Sequence, residues 1–168
     1  DTLARPWAKP GTENLEHRIG GIEKEDVTGN VNYDPENHHF MVKTRALKVQ
    51  NIANELPPTD VFGEKSGDLL ILSWGGTQGA CRSATEALVN DGKKVSHIHL
   101  RWINPLPNDL GELLIKFKHV LIPEINLGQL IKIIRAEYLI DAIGLNKVKG
   151  KPISSAEIQD NVKKILEK

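Results

Sequence analysis

DLLILSWGGTQGA, residues 68–80, carries two signals in one short stretch. LLILSW (69–74) is a continuous apolar run, the pattern of a strand buried on both faces by flanking helices. SWGGTQGA (73–80) is a glycine-rich turn leading into a helix expected from Thr77 to about Asn90, with Ala80, Ala84 and Leu88 on one face. In an open parallel sheet such a turn lies at the carboxyl edge, where ligands usually sit and where a helix amino terminus offers free N–H groups to an anion. The stretch therefore raises two questions: what sheet surrounds it, and whether the turn holds a ligand.

Downstream, strands continue to alternate with helices. KVSHIHLRW (94–102) reads as the next strand, and Leu110, Leu113, Leu114 and Phe117 mark a helix at i, i+3, i+4 and i+7. HVLIPEI (119–125) is a third strand. Asn126 is placed as the cap of a helix carrying Leu127, Leu130, Ile131, Ile134 and Tyr138. A short strand is expected around Leu145 to Val148. Ser154 with Glu157 then forms a capping box before Ile158, Val162, Ile165 and Leu166. Helices of this length between strands imply right-handed crossovers. Residues 61–168 are thus expected to form an α/β domain, a mostly parallel sheet with helices on both faces.

Residues 1–60 read differently. Up to about Asn37 no period is sustained, and Pro6, Pro10, Gly11, Gly20, Gly21, Gly29 and Pro35 punctuate a charged, irregular arm. Asp34 before Pro35 starts a helix. Its apolar stripe is Val42, Ala46, Val49, Ala53 and Leu56, and it stops before Pro57 and Pro58.

Composition narrows the partners. Of 168 residues, 39% are hydrophobic and 26% charged, and twenty-two basic side chains balance twenty-two acidic ones. Zero net charge removes the long-range attraction that recruits nucleic acid or an anionic membrane. No apolar run approaches the roughly twenty residues of a membrane span, and no signal peptide is recognised. One cysteine, Cys81, forms no internal disulfide, holds no multi-thiolate cluster and suits a reducing cytoplasm. An opening Asp1 in place of Met points to a piece of a longer polypeptide.

The glycine turn fits a nucleotide fingerprint poorly. G-x-G-x-x-G needs glycine where Trp74 stands, only Gly76 and Gly79 keep the final spacing, and no lysine follows to make a Walker loop. The second strand ends in His99, Leu100 and Arg101 with no ribose-binding acid, leaving Arg101 for a 2′-phosphate. A site for NADP, or for the phosphates of coenzyme A, would draw on Gly76, Thr77, Gln78, Gly79 and Arg101. The favoured reading is a tight strand-to-helix turn at Gly75 and Gly76, with Gly79 and Ala80 letting the helix approach the sheet.

His97 and His99 lie on one strand face, and with Glu124 they compose a three-ligand metal set, against which stands a histidine pair held in a packed layer. The packed layer is preferred, and no metal is assigned. His38 and His39 are read as solvated. Cys81, in the first turns of a helix, is read as a small packed residue without a catalytic partner. In the arm, EHRIGGIEKEDVTGN (16–30) combines His17, Arg18, Gly20 and Gly21 with an acidic cluster. This suits docking on another subunit, with Arg18 for a carboxylate or phosphate and the glycines for a bend. A flexible connector is the alternative.

LARPWAKPGTENLEHRIGGIEKEDVTGNVNYDPENHHFMVKTRALKV (3–49), continued by SHIHLRWINPLP (96–107), PEINLGQL (123–130) and RAEYLIDAIGLNKVKGKP (135–152), resembles the α subunit of 2-oxoglutarate:ferredoxin oxidoreductases, members of the 2-oxoacid:acceptor oxidoreductases. The resemblance covers nearly the whole chain. It implies an EC 1.2.7 enzyme that decarboxylates a 2-oxo acid on thiamine diphosphate, passes electrons through a [4Fe–4S] cluster to ferredoxin and releases an acyl-CoA. It also implies that this chain is the carboxyl-terminal part of that subunit and is inactive alone. Catalytic residues are expected in none of it, and thiamine diphosphate, Mg and the cluster are expected in the full complex. The implied partners are the β subunit and, as an alternative neighbour, a second α subunit; ferredoxin and coenzyme A act on the whole assembly. Residues 61–168 then resemble the carboxyl-terminal domain of transketolase, and His17, Arg18, Gly20 and Gly21 face a subunit or the active site.

Overall fold

The computed structural model describes residues 2–167. The chain divides between Leu56 and Pro57 into two compact units.

In the first unit, helix α1 (Pro35–Asn51) starts at Asp34, whose carboxylate accepts from the backbone N–H groups of Glu36 and Asn37. Pro35 at the first helical position loses nothing, because its missing N–H would have had no partner there. A short 3₁₀ turn (Ile52–Glu55) ends the helix before Pro57. Ahead of α1, residues 23–32 fold into a small hairpin bridged antiparallel at Lys24 and Val31.

The second unit is a five-stranded sheet in the order β1-β3-β2-β4-β5, made of β1 (Val61–Phe62), β2 (Gly67–Trp74), β3 (Val95–Leu100), β4 (Phe117–Glu124) and β5 (Ile143–Asn146). β2 pairs parallel with β3, from Leu69 opposite Val95 to Trp74 opposite Leu100. β4 pairs parallel with β2 and with β5. Only the two-residue β1 runs antiparallel, along the edge of β3.

Strand alternation divides the core. Leu69 and Ile71 join Val95 beneath α2 (Gln78–Asn90) and α5 (Ser155–Leu166), meeting Cys81, Ala84, Leu88, Ile158 and Val162. Leu70 and Leu72 join Ile98 and Leu100 on the other face, beneath α3 (Leu110–Leu114) and α4 (Leu130–Tyr138). Each fully buried aliphatic side chain contributes about 2 kcal/mol of transfer free energy. The α/β class expected above is the one observed.

Several boundaries differ from the expectation. Phe117 is buried at the start of β4 and not on a helix, because α3 stops after Leu114. Leu127 lies in the exposed turn before α4; Asn126 closes that turn by accepting from Gly128 and Gln129 N–H, so it sits ahead of the helix cap. β5 runs over 143–146, two residues earlier than read. The capping box at Ser154 and Glu157 is present as expected. No helix among the described residues is long and apolar enough to cross a membrane.

Candidate functional site

The chain passes from β2 to β3 on one side and from there to β4 on the other side of β2. The strand order therefore reverses between β2 and β4, and their carboxyl ends open the crevice where α/β sheets bind ligands. Here that crevice is filled. Trp74 at the end of β2 donates its indole N–H to Glu124 Oε1 at the end of β4, at 3.2 Å. Glu124 is fully buried and also accepts from the backbone N–H groups of Leu130 (2.9 Å) and Ile131 (3.2 Å) and from Asn126 Nδ2. A carboxylate thus occupies the amino terminus of α4, the position that a bound phosphate takes in nucleotide-binding sheets.

The glycine turn is built around this arrangement. Gly75 has φ +56°, which only glycine adopts without strain, and the chain turns through a 3₁₀ segment (Gly75–Thr77) into α2. Thr77 is buried and donates its hydroxyl to Trp74 O, so it presents nothing outward. Gly79 does not play the close-packing part read for it: it is exposed, and a side chain there would meet nothing within 4 Å. The helix reaches the sheet through Cys81 and Ala84 instead.

Glu124 does not join the histidines. His97 and His99 share one face of β3 and are bridged by Ser73 on β2, whose Oγ lies 2.7 Å from His97 Nε2 and 2.8 Å from His99 Nδ1. A hydroxyl donates to one ring and accepts from the other, which is the packed-layer arrangement. Burial pushes His97 down to about 4, helped by neighbouring His99 and Arg82, and lowers His99 as well. Among the described residues, no group of three histidine, cysteine or carboxylate side chains is placed to hold a metal. Cys81 is fully buried and its thiol is pushed up to about 11 by burial, so the helix amino terminus does not make it a nucleophile. A lone buried thiol fits no iron–sulfur cluster.

Beside the histidines lies a cavity of about 300 Å³ walled by Phe62, Trp102 and three prolines, Pro57, Pro58 and Pro107. Arg82, Arg101, Gln78 and Asp60 also line it. Of the residues named for a phosphate site, Gln78 and Arg101 therefore face one cavity, whereas Gly76, Thr77 and Gly79 are not among its walls. Phe62 was missed because the two-residue β1 carries no periodic signal, Arg82 because it lies on the exposed side of α2 away from the apolar stripe, and Trp102 because it was read as the end of a strand over 94–102 whereas β3 stops at Leu100.

In the first unit, His17, Arg18, Gly20 and Gly21 lie on an exposed loop. Lys24 Nζ donates to the carbonyls of Arg18 (2.7 Å) and Gly20 (2.9 Å), fixing the backbone while leaving the Arg18 side chain outward. Gly21 has φ +120°, and a Cβ there would sit 2.9 Å from the Val31 side chain, so the bend requires glycine. Beneath the loop, Glu23 is buried and takes Arg45 Nη1 at 2.9 Å and the His38 ring. The Arg45 hydrogen bond, then that of His38, holds its carboxyl down at about 2. His38 is thus engaged and not simply solvated, while His39 is exposed.

No protein-family model matches the chain. The 2-oxoglutarate oxidoreductase subunit KorA of Mycobacterium tuberculosis is 42% identical over 159 residues, covering 94% of this chain and 24% of that protein. The 2-oxoacid:ferredoxin oxidoreductase subunit alpha of Saccharolobus solfataricus is 28% identical over 169 residues, covering 97% and 26%. The chain therefore spans about a quarter of the length of these curated relatives. Among solved structures, the 2-oxoglutarate:ferredoxin oxidoreductase from Magnetococcus marinus, with 2-oxoglutarate, coenzyme A and succinyl-CoA bound, superposes with a TM-score of 0.85 at 34% identity, over 95% of this chain and 28% of that one. A split-gene transketolase, an inactive β4 tetramer, shares the fold alone: TM-score 0.51 at 19% identity, over 67% of this chain and 43% of that one.

Proposed function

Taking as premise that this chain is a homologue of the α subunits of the 2-oxoacid:ferredoxin oxidoreductases and matches their carboxyl-terminal part, we propose that it is a non-catalytic assembly and docking segment of such an enzyme. In this reading the parent is a thiamine diphosphate-dependent oxidoreductase that makes an acyl-CoA, with 2-oxoglutarate as the substrate that the names of the Mycobacterium and Magnetococcus proteins suggest. Residues 1–60 are the docking arm and its helix, and residues 61–168 the supporting domain. The β subunit is the partner, with ferredoxin and coenzyme A meeting the whole assembly. Reacting atoms, the cluster and the thiamine cofactor belong to polypeptide outside this chain.

One observation carries the reading: the first unit displays its apolar side chains. Trp7 is 91% exposed, Ile19 82% and Ile22 95%, and α1 buries none of its residues although Phe40, Val42, Leu47 and Val49 lie along it. A chain that functions alone gains nothing from such a surface, whereas a docking surface requires it. Beside these residues the exposed Arg18 supplies a fork suited to a carboxylate or phosphate across an interface.

The test is assembly. The chain with Val42→Asp and Val49→Asp is expected to melt like the unaltered chain but no longer to co-elute with the β subunit and the rest of the α subunit. The isolated chain is expected to show no turnover of 2-oxoglutarate with methyl viologen. Activity without a β subunit, or unimpaired assembly of the double variant, rejects the reading.

A further inference from the structure

We propose that the cavity beside β3 is a binding site for a compact organic monocarboxylate, whose anionic group is taken by Arg82 and Arg101 and whose apolar body lies against Trp102 and Phe62. Every wall belongs to the second unit, so the site is complete within it and does not depend on the assembly reading.

The argument begins with size. About 300 Å³ is the lower limit of ordinary small-molecule sites, room for a small acid but not for an intact dinucleotide or coenzyme. Apolar walls with a few convergent polar groups are the usual composition of such sites.

Charge selects the ligand further. Arg82, Arg101 and the Asp60 carboxylate line the cavity, Glu86 pairs with Arg82 from outside its walls, and the depressed histidines add no charge at neutral pH. A monocarboxylate brings one negative charge to the guanidinium groups, whereas a phosphate dianion brings a second that Asp60 repels. The carboxylate amide isostere would bring no negative charge to Arg101.

Preorganisation makes Arg82 the anchor. Its guanidinium carbon lies 3.2 Å from the centre of the Phe62 ring, and its Nε donates to Glu86 at 2.8 Å. Stacking and ion pair together hold the group in place while its two terminal nitrogens stay outside that pair. A donor fork already fixed in position loses less entropy on meeting a carboxylate. Phe62 is itself positioned by the β1 register, directly opposite His97. Ser73 bridges one nitrogen of each histidine, and both residues line the cavity.

The experiment titrates the purified protein containing this chain with benzoate at pH 7.5 and follows tryptophan fluorescence, with Trp102→Phe to assign the signal. Saturable binding of benzoate is expected, with no response to neutral benzamide and no competition by inorganic phosphate at equal concentration. Arg82→Gln and Arg101→Gln, each with an unchanged melting temperature, are expected to weaken benzoate by about tenfold or more, the loss of a charged hydrogen bond. Absence of saturable benzoate binding overturns the site. So does equal binding of benzamide, equal competition by phosphate, or indifference to both arginine substitutions.

Discussion

Five consecutive residues of β2, Leu69 to Ser73, are sealed from solvent, whereas none of the seventeen residues of α1 is buried. β2 places its aliphatic side chains in a core shared by four helices, whereas α1 leaves Val42, Leu47 and Val49 facing outward. The polar groups are arranged in the opposite sense. In the first unit the buried charged residue is Glu23, held by Arg45 and His38, so a polar clamp secures a surface that remains apolar. Order in the second unit comes from burial and in the first from hydrogen bonds, and the two should respond differently to mutation, acid and partners.

The sharpest way to break this contrast is to open the core. Ile122, fully buried in β4 between β2 and β5, is expected to cost about 3 kcal/mol as Ile122→Ala, measured by denaturant unfolding. A loss below about 1 kcal/mol would mean that the sheet is not close-packed there.

Acid should separate the units next. His97 is held neutral, with its folded pKa depressed to about 4 from 6.5, so the unfolded chain binds the extra proton first. Its contribution is fully present above pH 6.5 and is lost as pH falls toward 4, by about 3 kcal/mol in the second unit. His97→Gln should flatten that slope. Glu23, depressed from 4.5 to about 2, keeps the hairpin closed above pH 4.5 and releases it only as pH falls toward 2. Amide exchange at residues 24–32 should therefore rise at lower pH than domain melting begins to fall. The reverse order would undo the assignment of the clamp.

The smallest effect should come from Val42→Ala. At 44% exposure it should shift the stability of this chain by less than about 0.5 kcal/mol, as checked by the same unfolding titration. A larger loss would place Val42 in an internal contact and remove it from the docking surface.

How much of this was legible in the residues follows the same division. The continuous run 69–74 and the capping box at Ser154 announce themselves, because buried strands and helix starts leave local signals. Phe117 and Leu127 misled for one reason: each sits at helical spacing from true helix residues, and in short elements the period alone does not mark where the backbone stops. β1 is two residues long and carries no pattern, so the Phe62 wall of the cavity was invisible. Glu124 was named beside the histidines because both end strands. The structure sends it one strand further, to Trp74 and α4, since the order of strands in a sheet is not written in their spacing. Where Arg18 and Gly21 stand in the arm was readable as composition, but the Lys24 tether and the Glu23 clamp depend on contacts across a fold with no period at all.

The Glu124 carboxylate at the head of α4 acts as a built-in substitute for a guest anion. Its hydrogen bonds to Leu130 and Ile131 bind it as tightly as chain connectivity allows, at no cost in diffusion or in concentration. A descendant of this fold recruited to hold nucleotides would first have to evict its own side chain, and with it the indole of Trp74 that rests on it. A sheet whose doorway is closed from within is free to present its outer surfaces to neighbours.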